Sequence, residues 1–168
     1  DWGYFYSDLP FIGLFANAAE WVPAGKVTDI SLFYERCANG TLPAVSYVEP
    51  AFSFNDDHPP HHPLLGQMFL ATVHNALASS PQWNRTLLII SYDEHGGFYD
   101  HVAPATVPDT EGPEFQQQGF RVPTVVVGPH VKSGCVNHTV YDHASFPATV
   151  TRKFGLAEMT ERTAAVND

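Results

Sequence analysis

Apolar and polar residues alternate along the chain in short runs that predict strands and in longer periodic stretches that predict helices. Residues 86–92 and 122–127 are short, apolar and rich in β-branched side chains, which is typical of buried strands in a parallel sheet. Residues 44–48 predict another strand, and residues 2–6 predict a short aromatic strand or an edge segment.

Helical periodicity is clearest over residues 64–80, where apolar side chains recur every three or four positions and Pro81 follows. A second helix is predicted to begin at a cap formed by Thr28 or Asp29, and a third to cover residues 145–154. Each of these two is followed by a glycine suited to end a helix, Gly40 and Gly155. Because strands and helices alternate, the sequence predicts an α/β fold with a largely parallel sheet.

The composition narrows the class of protein. A chain of 168 residues with 44% hydrophobic residues predicts one globular domain, which would bury roughly 70% of its unfolded surface. The 18 acidic residues outnumber the 8 basic ones, the net charge is −10, and Lys and Arg form no cluster, which argues against nucleic-acid binding. No apolar run approaches the roughly 18 residues that a membrane-spanning helix needs.

Two carboxylates directly follow the best of the predicted strands. Residues 91–102 read Ser-Tyr-Asp-Glu-His-Gly-Gly-Phe-Tyr-Asp-His-Val, so Asp93 and Glu94 lie where the apolar run ends and two glycines turn the chain. Catalytic and ligand-binding groups of open α/β sheets lie beyond the carboxyl ends of strands. Adjacent carboxylates repel each other unless a positive group neutralises them, and a divalent metal ion would do so. The alternative is a solvated acidic turn with a capping role.

A second polar cluster, residues 55–62, reads Asn-Asp-Asp-His-Pro-Pro-His-His and follows the strand predicted at 44–48. Since it also follows a strand, it can share the edge of the sheet with the first cluster. A histidine near an oxygen-ligated metal could protonate a leaving group or stabilise charge, and we predict this role for His58. For His61 and His62 we favour solvated positions in a proline-rich loop.

Two Asp-His pairs, Asp100-His101 and Asp142-His143, leave two interpretations open. An aspartate can orient an imidazole through its second nitrogen, or such a pair can provide a helix cap and structural hydrogen bonds. For Asp142-His143, which precedes the last predicted helix, capping and a position in the wall of the active site are both open. Arg121 is expected to form a structural ion pair rather than to contact an anionic substrate.

Three of the seven asparagines open a glycosylation sequon, Asn39-Gly-Thr, Asn84-Arg-Thr and Asn137-His-Thr, where chance predicts about one. This excess indicates a secretory route and a secreted or luminal protein. The two cysteines, Cys37 and Cys135, could form a disulfide there or remain as buried free thiols.

Four motifs occur in order along the chain: Asp57-His58-Pro59, the segment from Tyr92 to Val102, Arg121-Val122-Pro123 and Tyr141-Asp142-His143-Ala144-Ser145. Together they resemble the phosphoesterase family that contains non-specific phospholipase C and related acid phosphatases, over nearly the whole chain. The resemblance implies an alkaline-phosphatase-like α/β/α sandwich, of which residues 1–168 form a single part resembling the C-terminal half. It implies hydrolysis of phosphoric monoesters or of the phosphodiester in phospholipid head groups.

The resemblance also implies roles for individual residues. Asp93 and Glu94 match the acidic metal-binding pair of the family, and the divalent ion could be calcium, magnesium, manganese, zinc or iron. His58 matches a histidine that lines the active site. Asp57 and His95 lie in the same motifs and are expected to bind substrate.

The chain departs from the family pattern at one point. Family members carry an earlier Glu-Asn metal-binding pair and then a Thr or Ser nucleophile, and neither is found in this sequence. We therefore expect an upstream segment to complete the site. The alternatives are a second chain that completes it, or a non-catalytic binding or accessory module that retains the fold.

Overall fold

A three-stranded parallel sheet organises the first part of the chain. Its strands are β1 (Trp2–Tyr6), β2 (Val27–Asp29) and β3 (Val45–Val48), and β1 lies between the other two. Both pairings are parallel, so the carboxyl ends of all three strands meet at one edge. The predicted strand at the start of the chain is confirmed, and it is the central strand of this sheet.

Five α-helices and three short 3-10 helices accompany the strands in the computed structural model, which describes all 168 residues. The α-helices are α1 (Ala18–Trp21), α2 (Ile30–Asn39), α3 (Pro63–Ala78), α4 (Ser145–Phe154) and α5 (Glu161–Ala165). The 3-10 helices cover Phe11–Leu14, Trp83–Arg85 and Pro113–Phe115. None of the helices is both long and apolar enough to cross a membrane.

The predicted helix ends are confirmed by their capping contacts. The Asp29 side chain accepts a hydrogen bond from the N–H of Ser31 at the start of α2, and Gly40 ends that helix at φ 67°. Gly155 ends α4 in the same way at φ 64°. A glycine is suited to both positions because the left-handed region penalises a Cβ.

The main core packs β1 against α2 and α3. Its fully enclosed side chains come from all three elements: Phe5, Phe33, Cys37, Val73 and Leu77. The Phe5 and Phe33 rings pack at a centroid distance of 5.6 Å. Of the apolar positions that recur along α3, Val73 and Leu77 are buried as the periodicity predicts, whereas Met68 is 59% exposed.

A separate two-stranded sheet is formed by β4 (Leu88–Ser91) and β5 (Thr124–Val127). The sequence predicted both strands but also predicted that they are buried, and this second prediction is wrong. All four residues of β4 are half-buried, and Val125 and Val126 of β5 are 54% and 44% exposed. An apolar run indicates that a strand is suited to burial on both faces, but the covering layers are not provided by these residues.

The chain divides into two compact units. The first contains Asp1–Leu88 and Val127–Val131, and the second contains Ile89–Val126 and Lys132–Asp168. The predicted α/β class with a parallel sheet is confirmed. The short elements β2 and α5 were not predicted from the sequence.

Candidate functional site

An aspartate two residues after β1 fixes the loop that follows β3. The carboxylate of Asp8 accepts hydrogen bonds from the backbone N–H groups of Leu9, Phe52 and Ser53 at 2.7 to 3.0 Å and from the Ser53 hydroxyl at 2.8 Å. Burial alone would raise the pKa of Asp8, but these hydrogen bonds lower it to about 2. Asp8 is therefore an ionised clamp at the carboxyl edge of the sheet.

A buried carboxyl group lies directly after β3. Glu49 is only 4% exposed; its Oε1 accepts a 2.5 Å hydrogen bond from the Tyr4 hydroxyl, and its Oε2 accepts one from the Phe11 N–H. Burial raises the pKa of Glu49, the charge of Asp8 adds to this effect, and the two hydrogen bonds oppose it. The pKa of Tyr4 is also raised, by burial and by Glu49.

The polar cluster at residues 55–62 is ordered by a second aspartate. Asp56 Oδ1 accepts from the backbone N–H of His58 at 3.0 Å and lies 2.7 Å from His61 Nδ1. The His58 Nδ1 donates to the carbonyl of Pro59 at 2.8 Å, so in the neutral ring the lone pair is on Nε2. The His58 side chain is exposed.

The prediction of solvated positions holds for His62, which is exposed, and is wrong for His61, which is partly buried. The His61 side chain is 23% exposed and paired with Asp56, and His62 Nδ1 accepts from the N–H of Leu64 to cap α3. Both histidines therefore have structural partners, and the exposed histidines of this loop are His58 and His62.

Asp57 adopts a left-handed conformation with φ 65° and packs its carboxylate against α3. A Cβ at residue 66 would lie 2.2 Å from Asp57 Oδ1, so the glycine at that position is a steric requirement. The first turn of a helix favours a nearby negative charge. Asp57 is thus placed by close contact with the backbone of α3.

In the second unit, the acidic pair follows β4 as predicted. Asp93 and Glu94 are both exposed, and Asp93 Oδ1 accepts from the Glu94 N–H at 3.1 Å. Gly96 and Gly97 have φ angles of 65° and 77° and turn the chain. His95 packs its ring against Phe120 at a centroid distance of 4.8 Å.

The donor chemistry of the acidic pair suits a hard divalent ion, but the ligand set is incomplete in this chain. No group of three or more His, Cys, Asp or Glu side chains in residues 1–168 is placed to hold a metal ion. Calcium and magnesium take six or more oxygen ligands. A metal held by Asp93 and Glu94 would therefore need further ligands, and the predicted metal site stays a prediction.

The expected structural ion pair of Arg121 is present. Arg121 Nε and Nη2 donate to the two oxygens of Asp100 at 2.8 and 2.7 Å, and the Arg121 backbone N–H donates at 3.2 Å. These hydrogen bonds lower the pKa of Asp100. Because Asp100 pairs with Arg121, and the His101 ring packs against Tyr99, the first Asp-His pair does not act as an orienting pair.

The second Asp-His pair also separates into two structural contacts. Asp142 accepts from Arg162 at 3.2 Å, from Gln118 at 2.7 Å and from the N–H of Ala144 at 2.7 Å, just before α4. His143 Nε2 instead donates to the carbonyl of Tyr92 at 2.9 Å. Structural hydrogen bonding is therefore observed for this pair, whereas neither side chain caps α4, whose N-cap residue is Ala144.

The structure contains no disulfide. Cys37 is a buried free thiol in the main core, where burial raises its pKa to about 11, and Cys135 is an exposed free thiol. The disulfide considered from the sequence is therefore not formed, and of the two thiols only Cys37 is buried. The three sequon asparagines are all exposed: Asn39, Asn84 and Asn137.

Sequence reasoning missed two residues that order the candidate site, Asp8 and Glu49. They lie one or two positions after strands of the parallel sheet, and this position was the signal that could have identified them. His143 was identified in a motif, but its partner was not, because the carbonyl of Tyr92 lies 51 residues away in the sequence. The candidate groups lie in both units, with His58 and Asp57 in the first and Asp93, Glu94 and His95 in the second.

Comparison with known proteins relates the chain to one family and to relatives that share one enzyme name. The model of the Phosphoesterase family matches residues 1–157. The chain is 36% identical to non-specific phospholipase C6 of Arabidopsis thaliana over 94% of its own length, and 40% identical to non-specific phospholipase C4 of the same plant over 77%. It is 33% identical to phospholipase C B of Mycobacterium tuberculosis over 70% of its length.

These matches cover only part of each relative. The aligned region is 35% of the first protein, 29% of the second and 26% of the third. The chain thus spans about a third of the length of the relatives it matches.

Proposed function

Because the chain belongs to the phosphoesterase family, we propose that the complete protein hydrolyses phosphoric ester bonds and that these residues form part of its catalytic region. The observation that carries the proposal is the family match over residues 1–157, which includes both polar clusters. The relatives are named phospholipases C. Their names favour the phosphodiester of phospholipid head groups as the substrate.

His58 is the proposed catalytic group of this chain. Its Nδ1 is held by the carbonyl of Pro59, and its exposed ring therefore presents Nε2 to an incoming substrate. In the protonated ring Nε2 would donate a proton or a charge-assisted hydrogen bond to an oxygen of the phosphoryl or leaving group. Asp56 orders the backbone of His58, and Asp57 and His95 are proposed to contact the substrate.

Asp93 and Glu94 are proposed to contribute two carboxylate ligands to one divalent metal ion. When bound, such an ion neutralises charge on phosphoryl oxygens and favours ionisation of a nucleophile. The remaining ligands and the nucleophile are proposed to come from a segment outside these 168 residues, or from a second chain. Oxygen ligation suits calcium, magnesium or manganese, and zinc and iron remain alternatives.

Secretion and N-glycosylation are a further part of the proposal. The three sequon asparagines are exposed, as an oligosaccharide transferase would require. At Asn137 the side-chain Oδ1 also accepts from the N–H of Thr139 at 2.9 Å, which brings the asparagine side chain close to the sequon threonine.

The experiment that tests the proposal measures phosphocholine release from phosphatidylcholine by the full-length protein. His58→Ala should lower the rate by about 100-fold or more, since general acid–base groups contribute at least that much. Asp93→Ala should lower it by a similar factor, because it removes a proposed metal ligand. Glu35→Ala, at an exposed position of α2, is the matched control and should stay within about twofold. Full activity of the Asp93 variant would refute the assignment of the acidic pair.

The same assay tests the need for a metal. Incubation with a chelator should abolish activity, and adding back individual divalent ions should restore it in an order that identifies the ion. Unchanged activity after exhaustive chelation would contradict metal assistance. If the full-length protein hydrolyses no phosphoric ester, the alternative of a binding or accessory module holds.

A further inference from the structure

We propose that His143 is a positioning residue for the turn that carries Asp93 and Glu94, and that it acts through the backbone carbonyl of Tyr92. This inference rests on the proposed function, because it assigns the turn a role in the reaction. His143 belongs to the motif at residues 141–145, which the proposed catalytic roles leave unexplained.

The contact is made directly before the acidic pair. His143 Nε2 lies 2.9 Å from the carbonyl oxygen of Tyr92, the residue that precedes Asp93. The hydroxyl of Ser91 donates to the same oxygen at 3.4 Å and lies 2.9 Å from the hydroxyl of Thr124. The end of β4 is therefore held both by β5 and by His143.

His143 is itself held by the segment on which it lies. Its neighbour Asp142 pairs with Arg162 and Gln118, and the N–H of Asp142 donates to the hydroxyl of Ser145 in the first turn of α4. The His143 ring also lies against Phe146 with a centroid distance of 6.1 Å. The imidazole is thus positioned before it meets Tyr92.

The acidic turn needs such support because of its own composition. Gly96 and Gly97 occupy left-handed conformations and allow the backbone many alternatives. The Asp100–Arg121 pair fixes the distal end of the segment, and His143 fixes its beginning. Between these two points the carboxylates have only the short contact from the Glu94 N–H to Asp93. Loss of the His143 contact would remove one of the hydrogen bonds that hold the backbone directly before the acids.

The hydrogen bond has a defined polarity. A carbonyl oxygen can only accept, so Nε2 of His143 carries the proton in this contact, in the neutral ring as well as in the charged one. A side-chain amide that reaches the Tyr92 carbonyl should replace the hydrogen bond from His143, whereas an aromatic ring without a donor should not.

Three variants of the full-length protein separate the hydrogen bond from ring packing. His143→Gln keeps a donor and loses the ring, His143→Phe keeps a ring beside Phe146 and loses the donor, and His138→Gln is the control at an exposed histidine of the preceding loop. Rates of phosphocholine release are expressed per folded molecule. Direct binding of Mn²⁺ is followed by the loss of its free-ion paramagnetic resonance signal.

We expect His143→Phe to lower kcat/KM and Mn²⁺ affinity by about tenfold, the range for residues that orient metal ligands. His143→Gln should remain within about threefold of wild type, and His138→Gln within about twofold. Wild-type behaviour of His143→Phe, or an equal loss in the Gln and Phe variants, would overturn the inference. Asp93→Ala distinguishes the two proposals: if it abolishes turnover while His143→Phe does not, only the role of His143 fails.

Discussion

Asp8 and Ser53 are joined by two hydrogen bonds, from the backbone N–H and from the hydroxyl of Ser53 to Asp8 Oδ2, across 45 residues of sequence. Asp8 lies at the end of β1, and Ser53 lies in the loop that leads from β3 to His58. The strand end therefore determines where this loop begins. A substitution of Asp8 should therefore lower the stability of the protein and alter the loop that carries His58.

Replacement of Asp8 should destabilise the protein, and the loss should be larger when both carboxylate oxygens that accept hydrogen bonds are removed than when one is kept. Hydrogen bonds to charged groups contribute about 1.5–3 kcal/mol, and Asp8 is partly screened by solvent. We therefore expect Asp8→Asn to lower the free energy of unfolding by about 1 kcal/mol and Asp8→Ala by about 2 kcal/mol. Urea denaturation measures both values.

Asp1→Asn is the control for this prediction, because Asp1 forms an exposed ion pair with Lys26 at 3.1 Å. It should change stability by less than about 0.5 kcal/mol. Equal stability of the Asp8→Ala and Asp1→Asn variants would show that the Asp8 contacts do not support the fold.

The buried Glu49 should make the free energy of unfolding depend on pH. Its pKa is raised in the folded state, so the unfolded chain ionises first as the pH rises through the ordinary value near 4.5. The folded protein then binds more protons than the unfolded chain, and Glu49 makes stability fall with rising pH. Glu49→Gln removes this contribution.

The difference in unfolding free energy, Glu49→Gln minus wild type, should therefore increase between about pH 4 and about pH 7. Asp8 does not disturb the comparison, because its pKa of about 2 lies below this window. Urea denaturation at several pH values measures the difference. A difference that is constant with pH would mean that Glu49 ionises normally in the folded protein.

Local signals allowed much of the fold to be predicted. The helix ends at Asp29, Gly40 and Gly155 depend on residues within one turn of each boundary, so the sequence indicates them directly. In contrast, β2 has only three residues and is a strand because it pairs with β1. The sequence of β2 alone does not indicate this pairing. The position of Asp93 after β4 was likewise predictable from the apolar run.

Long-range partners account for what could not be predicted. Asp142 has side-chain partners at Gln118 and Arg162, 24 and 20 residues away, and the Asp-His dipeptide does not reveal them. The apolar sequence of β5 suggested burial, yet Val125 is 54% exposed. The covering of a strand depends on the other layers of the fold rather than on the strand itself.

The sequons lead to a prediction about secreted material. After expression through a eukaryotic secretory pathway, enzymatic removal of N-linked glycans should lower the intact mass of the protein. Single Asn39→Gln, Asn84→Gln and Asn137→Gln variants should each remove one step of a partial deglycosylation ladder, since all three side chains are exposed. The control is Asn75→Gln, an exposed asparagine of α3 outside any sequon. A single glycan-free mass for the secreted wild type would contradict the proposal.

The contact between Asp57 and Gly66 predicts that one substitution changes sign with its background. Alanine is favoured over glycine within a helix by about 1 kcal/mol, but a Cβ at residue 66 would meet Asp57 Oδ1 at 2.2 Å. We expect Gly66→Ala alone to lower the free energy of unfolding by about 1–3 kcal/mol, the usual cost of overpacking. In an Asp57→Gly background, which keeps the positive φ accessible, Gly66→Ala should instead raise the free energy of unfolding by about 0.5–1 kcal/mol.

Ala71→Gly, at an exposed position of the same helix, measures the difference in helix propensity between alanine and glycine. A double-mutant cycle in urea measures the coupling between residues 57 and 66. Equal effects of Gly66→Ala in the two backgrounds would mean that the Asp57 carboxylate does not pack against α3.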